Sequence, residues 1–209
     1  MVKNPWLEIS LSDYEDHMRL ASVRQLQALN RAMRQQLTQY PVTSAVILGV
    51  AGGNGLEHID PAKYDRVYGV DVNPAYLAET EKRYAGLAGT LECVCLDLTA
   101  EPERLPRAEL LIANLLIEYI GYDAFLQAAA AVGPEHISCL IQVNEGEDFV
   151  SDSPYLHAFD GLARVHHQID EAGLTAALNG AGYGLTDREE YPLPNGKKLL
   201  RLDYAADRR

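Results

Sequence analysis

A glycine-rich stretch at residues 46–59, VILGVAGGNGLEHI, constrains the fold more than any other part of the sequence. It begins with an apolar run of strand length, continues through Gly49, Gly52, Gly53 and Gly55, and ends in a helix-like pattern. This order predicts a buried strand, a tight turn and the start of a helix. Glycines allow positive φ and let the backbone approach a ligand, and amide groups at the helix start then face the bound molecule. Nucleotide-like cofactors commonly bind in this way.

The dinucleotide-binding fingerprint, G-x-G-x-x-G/A, does not fit these glycines in any frame. A frame that begins at Gly53 places His58 at the third position, where the packing of helix on strand requires a small residue. Frames that begin at Gly49 or Gly52 lack the second glycine. An NAD(P)-binding oxidoreductase is therefore the weaker alternative.

Three further apolar segments end in polar residues and follow the glycine turn along the chain. They end at Asp71, Asp97 and Asn114. In open parallel sheets, ligands bind beyond the carboxyl ends of the strands, so these side chains and the glycine turn point to one crevice. Asp71 follows the glycine loop by about 20 residues, a spacing at which a carboxylate accepts hydrogen bonds from both ribose hydroxyls.

The glycine turn and the strand ends together resemble the class I S-adenosylmethionine-dependent methyltransferases. The first motif of that family is an acidic residue, an apolar residue and then G-x-G-x-G. Two positions depart from it, because Gly49 replaces the acid and Ala51 replaces the first glycine. The resemblance implies that S-adenosylmethionine binds along this turn, at Gly49, Val50, Ala51, Gly53, Asn54 and Gly55. Loss of the acid leaves open a cofactor-binding module without turnover.

The resemblance also assigns a role to each strand end. It implies that Asp71 binds the ribose and that Val72 lies against the adenine. It further implies that Asp97 binds the adenine amino group, with Leu98 as another adenine contact. Asn114 borders the sulfonium and the acceptor in this scheme.

Glu118 and Tyr119 follow the fourth strand and are the candidate catalytic residues. A carboxylate there can hold a cationic or amine substrate, and a ring can stack on it. The alternative is a helix-capping acid and a packed ring. Relatives that methylate exocyclic amines of bases or side-chain amides usually carry Asn/Asp-Pro-Pro-Tyr/Phe at this point. This chain has no Pro-Pro after Asn114, which disfavours acceptors of that type.

The residues before the first strand predict a helical cap, 1–43, on a catalytic core, 44–205. Ser12 or Asp13 is the predicted start of one long helix to about residue 40, with an apolar stripe at helical spacing. This helix either packs on the sheet edge or covers the ligand pocket as a lid. In the second case Trp6, Tyr14 and His17 reach the ligand.

The remaining pattern completes one α/β domain of 209 residues. It predicts helices that start at Asn73 and Asp123, a fifth strand over 136–144 and a helix capped by Asp170. The connection over 145–157 is either a surface loop or a wall of the substrate site. A final hairpin turns at Asn195-Gly196 in a type I′ turn. We expect a Rossmann-like three-layer sandwich with a seven-stranded, mostly parallel sheet whose last strand is antiparallel.

Composition restricts the partners and the compartment. A net charge of −12 disfavours nucleic acid and anionic membranes as partners, because phosphate binding depends on basic patches. No apolar run approaches the roughly 20 residues that span a bilayer, and no signal peptide is recognisable, so we expect a cytoplasmic protein. Cys93, Cys95 and Cys139 predict buried free thiols and no metal site. We expect methyl transfer from S-adenosylmethionine to a small molecule. The sequence leaves open whether the nucleophile is nitrogen or oxygen, and whether the protein is a monomer or a homodimer.

Overall fold

The computed structural model describes residues 4–143, 150, 151 and 153–207. Its centre is a seven-stranded sheet in the order β3-β2-β1-β4-β5-β7-β6. The strands are β1 (Ser44–Leu48), β2 (Arg66–Asp71), β3 (Leu91–Cys95), β4 (Leu110–Asn114), β5 (His136–Val143), β6 (Tyr183–Pro192) and β7 (Lys198–Ala206). β7 runs antiparallel to both of its neighbours, and the other pairs are parallel. The predicted sheet is therefore confirmed. Asn144, the predicted end of the fifth strand, lies outside the described residues.

Helices cover both faces of the sheet. The α-helices of the described residues are α1 (Leu11–Arg19), α2 (Gln25–Gln39), α3 (Pro74–Arg83), α4 (Ile117–Val132) and α5 (Glu171–Gly180). Successive residues of a strand point to opposite faces, and β1 shows this directly. Val46 and Leu48 join a core with α4 and α5, whereas Ala45 and Ile47 join a core with α2 and α3. A longer 3₁₀ segment, Leu156–Arg164, follows β5.

The N-terminal region forms two α-helices, where the sequence predicts one. Ser10 caps α1 in place of Ser12 or Asp13, since its Oγ accepts a hydrogen bond from Asp13 N at 3.1 Å. The chain then turns before α2, and Arg24 at the turn has a positive φ of 53°. This turn separates α1 from α2. The apolar stripe of α2 packs against the sheet, including β7. The buried residues of that stripe include Leu29, Met33 and Leu37.

The glycine turn leads into one 3₁₀ turn, Leu56–His58, and the predicted α-helix after it does not form. α2 occupies the space beside the turn. A Cβ at Gly55 would lie 2.6 Å from the Met33 side chain, and Asn54 Nδ2 donates to the Leu26 carbonyl at 3.0 Å. The glycines therefore allow close packing of α2 on the turn.

The β6–β7 hairpin forms as predicted, but its turn is not type I′. A type I′ turn requires positive φ at both central residues. Gly196 has a φ of 80°, whereas Asn195 is not among the described non-glycine residues with positive φ. Gly196 N donates to the Leu193 carbonyl at 3.2 Å, so the turn begins one residue earlier than predicted.

The prediction of buried thiols is wrong for Cys95, which is exposed because β3 is an edge strand. Cys93 is half-buried and Cys139 is buried. Among the described residues, no three His, Cys, Asp or Glu side chains are grouped so that they could hold a metal ion. No helix in the described part of the chain is long and apolar enough to cross a membrane.

Candidate functional site

Two adjoining cavities lie beyond the carboxyl ends of the parallel strands. The smaller cavity, about 280 Å³, borders the ends of β1, β2, β3 and β4. The larger one, about 650 Å³, lies between α1, the start of α4, the end of β5 and the 3₁₀ segment Leu156–Arg164. Four residues line both cavities: Trp6, Tyr14, Leu115 and Tyr119.

Most of the predicted cofactor residues line the smaller cavity. These are Gly49, Ala51, Asp71, Val72, Asp97, Leu98 and Asn114. They come from four different strand ends, which the parallel sheet places side by side. The arrangement that the sequence predicts is thus present in the structure.

Val50, Gly53, Asn54 and Gly55 do not line this cavity. Val50 is buried against β2, where its side chain fills the space beside Gly69. Gly53 has a φ of 82°, and a Cβ there would lie 2.6 Å from the Tyr84 ring. These residues therefore shape the turn and its packing.

Asp71 is the most constrained acid of the smaller cavity. Its Oδ2 accepts from Ala51 N and its Oδ1 from Asn73 N, both at 2.9 Å. Burial raises the pKa of this carboxyl, and the backbone N–H donors of Asn73 and Ala51 oppose the rise. A carboxylate has about four lone-pair sites, so two remain for further donors.

Asp97 and Asn114 are held in different ways. Asp97 Oδ1 accepts from the backbone N–H and the hydroxyl of Thr99 at 2.9 and 2.7 Å. The Asn114 amide forms two reciprocal hydrogen bonds with the Gln36 amide of α2, at 2.8 and 2.9 Å. Gln36 also donates to Ser138 Oγ at 2.8 Å, so Asn114 is fixed by a network that reaches β5.

α3 holds the glycine turn through contacts that the sequence reasoning missed. Thr80 Oγ1 donates to the Ala51 carbonyl at 2.8 Å, and Arg83 Nη1 donates to the Gly52 carbonyl at 3.2 Å. Arg83 also forms an ion pair with Glu15 of α1, in which Nη1 and Nη2 of the guanidinium both donate to the carboxylate. Thr80 and Arg83 are three residues apart and so lie on one face of α3, which is the only sign of these contacts in the sequence.

The segment before α1 closes one side of the smaller cavity. Asn73 Nδ2 donates to the Trp6 carbonyl and Tyr76 Oη to the Ile9 carbonyl, both at 2.9 Å. These contacts place the Trp6 ring against the rings of Tyr14 and Tyr119, with centroid distances of 5.9 and 4.9 Å. Trp6 and Tyr14 therefore line the smaller cavity, and the role of this region as a lid over a ligand stays a prediction.

Glu118 lies in the first turn of α4, because this helix begins before the predicted start at Asp123. Gly121, with φ of 73° and ψ of 172°, interrupts the helix between Glu118 and Asp123. Glu118 is 5% exposed and lines the larger cavity. Its Oε1 accepts from Gln142 N at 2.8 Å, while its Oε2 is buried without a hydrogen-bond partner among the described residues. Burial raises the pKa of this carboxyl to about 7, although hydrogen bonds from the backbone N–H groups of Gln142 and Glu118 act to lower it.

Tyr119 lies at the junction of the cavities with its hydroxyl protonated. Burial, and then the nearby Glu118 and Tyr14, raise the pKa of Tyr119 well above its usual range. The pKa of Tyr14 is also raised, by burial first and then by Asp71 and Glu15. Both side chains are therefore neutral hydroxyls with aromatic faces at this junction.

Histidines and Phe159 form much of the remaining wall of the larger cavity. His17 is 4% exposed, its Nδ1 lies 2.7 Å from Ser153 Oγ, and its ring contacts Phe159 at 4.8 Å between centroids. His166 lies 6.0 Å from the Tyr119 ring. Val150, Ser151 and two residues of the 3₁₀ segment, Phe159 and Leu162, line this cavity. Residues 145–149 and 152 of the predicted connection lie outside the described residues, so its role as a wall of a substrate site stays a prediction. The spacing of His166 and His167 in the sequence does not indicate a functional site, and only the fold brings the two residues to the larger cavity.

Comparisons with known structures decide the fold. The chain matches the N-methyltransferase NodS of Bradyrhizobium japonicum WM9, in complex with S-adenosyl-L-homocysteine, with a TM-score of 0.67 and 12% identity. The match covers 99% of this chain and 100% of NodS. The chain has the class I S-adenosylmethionine-dependent methyltransferase fold.

Other proteins with this methyltransferase fold match as well. Magnesium protoporphyrin IX methyltransferase of Synechocystis PCC 6803, with bound S-adenosylmethionine, gives a TM-score of 0.60 at 11% identity, covering 94% of this chain and 83% of that protein. The [4+2]-cyclase SpnF gives 0.65 at 11% identity, covering 90% and 84%. No protein-family model matches the sequence, and no curated protein is significantly similar to it.

Proposed function

We propose that this protein binds S-adenosylmethionine and transfers its methyl group to a small-molecule acceptor. The observation that carries the proposal is the convergence of Asp71, Asp97 and Asn114 on one cavity beside the glycine turn. The structural neighbours crystallised with S-adenosylmethionine or its demethylated product share this fold, which supports the same ligand here.

The residues of the smaller cavity fit the adenosine part of this cofactor. Asp71 keeps two lone-pair sites for the ribose hydroxyls after its two backbone hydrogen bonds. Asp97 would take the adenine amino group, and Val72 and Leu98 offer apolar contacts to the base. Gly49 and Ala51 let the chain pass close to the ligand, and a Cβ at Gly49 would lie 3.0 Å from Leu116.

The larger cavity fits the acceptor. Its volume of about 650 Å³ is in the range of small-molecule sites, about 300–1,000 Å³. When bound, S-adenosylmethionine supplies a methyl group made electrophilic by a positively charged sulfur. The protein then has to orient the acceptor and exclude water. Trp6, Tyr14 and Tyr119 border both cavities, and we propose that Tyr119 and Glu118 lie beside the transferred methyl group.

Dinucleotide binding is disfavoured by the turn after β1. In NAD-binding domains the pyrophosphate lies at the N-terminus of the helix that follows the glycine loop. Here one 3₁₀ turn, Leu56–His58, follows the loop. This region therefore provides no α-helix N-terminus for a pyrophosphate.

A cofactor-binding protein without methyl transfer is the second candidate. Gly49 stands where the family has an acid, and the [4+2]-cyclase with the same fold carries a different reaction in its name. The larger cavity beside the smaller one favours turnover, because a module that only binds the cofactor needs no acceptor space.

Native mass spectrometry and calorimetry test the proposal together. We expect S-adenosylmethionine or S-adenosylhomocysteine to be released from the purified protein and to bind to it in titration, while NAD does not bind. Tight NAD binding, or no binding of either adenosyl compound, would contradict the proposal. A separate assay measures S-adenosylhomocysteine formation with and without a mixture of acceptors. Formation only when acceptors are present would show turnover in addition to binding.

A further inference from the structure

We propose that the acceptor is an amine that is protonated in neutral water, and that Glu118 binds its ammonium group and takes the proton from its nitrogen. This inference rests on the proposed function and names the chemical class of its acceptor. It is carried by one buried carboxylate oxygen, the aromatic wall around it and the distribution of charge in the larger cavity.

Glu118 Oε2 is the first observation. The side chain is 5% exposed, its Oε1 already accepts from Gln142 N, and its Oε2 is buried without a hydrogen-bond partner in the described part of the chain. A buried acceptor without a donor costs about 1–3 kcal/mol. An ammonium group in the larger cavity would supply that donor once the Glu118 side chain turns to uncover Oε2, which is now covered. A hydroxyl would supply it too, so the remaining lining decides between them.

The aromatic wall favours a cation. Trp6, Tyr14 and Tyr119 line the cavity, and the Trp6 ring meets the other two nearly edge to face, at interplanar angles of 80° and 86°. Phe159 and His166 extend this wall. Ring faces attract ammonium groups, and the attraction is stronger where water is excluded.

The charges around the cavity disfavour an anionic acceptor. Arg188 and Lys198 line its mouth, and both form ion pairs with Glu190 at 2.7 and 3.1 Å. Arg188 also pairs with Glu171 at 3.0 Å. A carboxylate or phosphate would therefore meet no unpaired Arg or Lys among the described lining residues.

Two imidazoles of the cavity wall, those of His17 and His166, do not add positive charge. Burial lowers the pKa of His17, with a further contribution from Lys197, and burial lowers the pKa of His166, with a contribution from His167. Asp170 lines the same cavity and is exposed. The buried part of the lining thus has a carboxyl group, neutral imidazoles and neutral tyrosine hydroxyls.

The chemical step at Glu118 is a proton transfer. The N–H bond of the ammonium breaks, its electron pair remains on nitrogen as a lone pair, and an O–H bond forms on the carboxylate. In water this transfer is unfavourable, because an alkylamine holds its proton to a pKa of about 10 and a carboxyl to about 4. Burial raises the pKa of Glu118 to about 7 and lowers that of an enclosed ammonium, since the transfer removes both charges.

Calorimetry with three probes of one shape tests the inference without turnover. The protein is first saturated with S-adenosylhomocysteine and then titrated with phenethylamine, phenethyl alcohol or 3-phenylpropionate. We expect the amine to bind at least about 10-fold more tightly than either of the others. Equal or tighter binding of the alcohol or the carboxylate, or no amine binding at millimolar concentration, would overturn the inference.

Proton release gives a second readout that a structural role of Glu118 would not produce. At about pH 6 the Glu118 carboxyl is mostly protonated, so amine binding should release close to one proton, and at about pH 8.5 almost none. Titrations in buffers of different ionisation enthalpy measure this number. Release that is the same at both pH values would argue against Glu118 as the proton acceptor.

Glu118→Gln and Glu92→Gln form a matched pair of variants. The first removes the buried carboxylate, and the second makes the same charge change on the exposed edge strand β3. We expect Glu118→Gln alone to weaken phenethylamine binding at least about 10-fold and to abolish proton release, with S-adenosylhomocysteine affinity unchanged. If S-adenosylhomocysteine fails to bind the wild type, the proposed function fails. If it binds and the amine result is negative, only the amine inference fails. The probe series on the wild type stands even if the variant does not fold.

Discussion

The Asp71 carboxylate accepts a hydrogen bond from the backbone N–H of Ala51, with Oδ2 and N 2.9 Å apart. This contact joins the end of β2 to the glycine turn after β1. Because Asn73 N also donates to the same carboxylate at 2.9 Å, the acid is fixed before a ligand binds. A site that is ordered in advance loses less conformational freedom on binding.

Asp71→Ala should weaken the binding of S-adenosylhomocysteine by about 1–3 kcal/mol, because the ribose hydroxyls lose their charged acceptor. It should also destabilise the fold, since the N–H groups of Ala51 and Asn73 lose their acceptor. Calorimetry measures the first effect and urea unfolding the second. Asp71→Asn is the control of similar shape, and it should retain part of the stability. Unchanged affinity in the alanine variant would exclude Asp71 as a cofactor residue.

Asp97→Ala should weaken the same ligand less than Asp71→Ala does. Only one adenine amino contact is at stake, and the Asp97 side chain is half-buried with Thr99 as its partner. The same titration measures the difference. Thr99→Val shows whether Asp97 must be held in place by Thr99 to bind the ligand. It removes the hydroxyl that donates to Asp97 and leaves the carboxylate itself. A larger loss for Asp97→Ala than for Asp71→Ala would reverse the roles given to the two acids.

The sequence predicted the sheet because its signals are local. Strand residues alternate between two buried faces or form apolar runs, and the acids Asp71 and Asp97 immediately follow such runs. The parallel topology then places consecutive strand ends together without further information. The cofactor side of the candidate site was predictable for this reason.

The acceptor side depends on contacts between residues far apart in the chain, which leave no local pattern. Glu118 becomes buried only when α4 begins at Ile117 and the backbone of Gln142 reaches it from β5. α2 packs on the glycine turn and takes the space of the predicted helix, which no periodicity in residues 46–59 reveals.

Arg83→Ala should loosen α1 from the cofactor site. Arg83 joins Glu15 of α1 to the Gly52 carbonyl, so its removal frees both the helix and the turn. The ion pair is partly exposed, and we expect a loss of about 1 kcal/mol in stability that shrinks in high salt. Faster proteolysis within α1, with weaker S-adenosylhomocysteine binding, would show the effect. Lys82→Ala, which removes an exposed pair with Glu79 on the same helix, should change neither.

Nucleic acid should not bind to this protein. The net charge of −12 repels phosphate at neutral pH, and the chain lacks the Pro-Pro signature of methyltransferases that act on exocyclic amines of bases. Filter binding with labelled RNA and duplex DNA at low salt should therefore give no retention. Binding that weakens steeply with added salt would contradict this, since it would show phosphate contacts that release counterions.

Glu118 should make the stability of the protein fall as the pH rises towards neutrality. Its pKa is raised by burial from 4.5 to about 7, so the folded protein holds this proton more tightly than the unfolded chain. The stabilisation is fully present below about pH 4.5 and is lost as the pH rises through about 7, a total of about 3 kcal/mol.

Urea unfolding of the wild type and Glu118→Gln across this range isolates that contribution. Asp71 has a raised pKa as well, and it is present in both proteins, so the difference between the two curves reports on Glu118. We expect the variant to gain stability relative to the wild type as the pH rises from about 4.5 to 8, because a neutral amide need not be ionised in a buried site. Parallel curves would show that Glu118 has an ordinary pKa, and the carboxyl would then be ionised too readily to keep a proton taken from an acceptor. A difference of the expected sign that disappears when phenethylamine is bound would show that an ammonium group replaces the missing partner of Oε2.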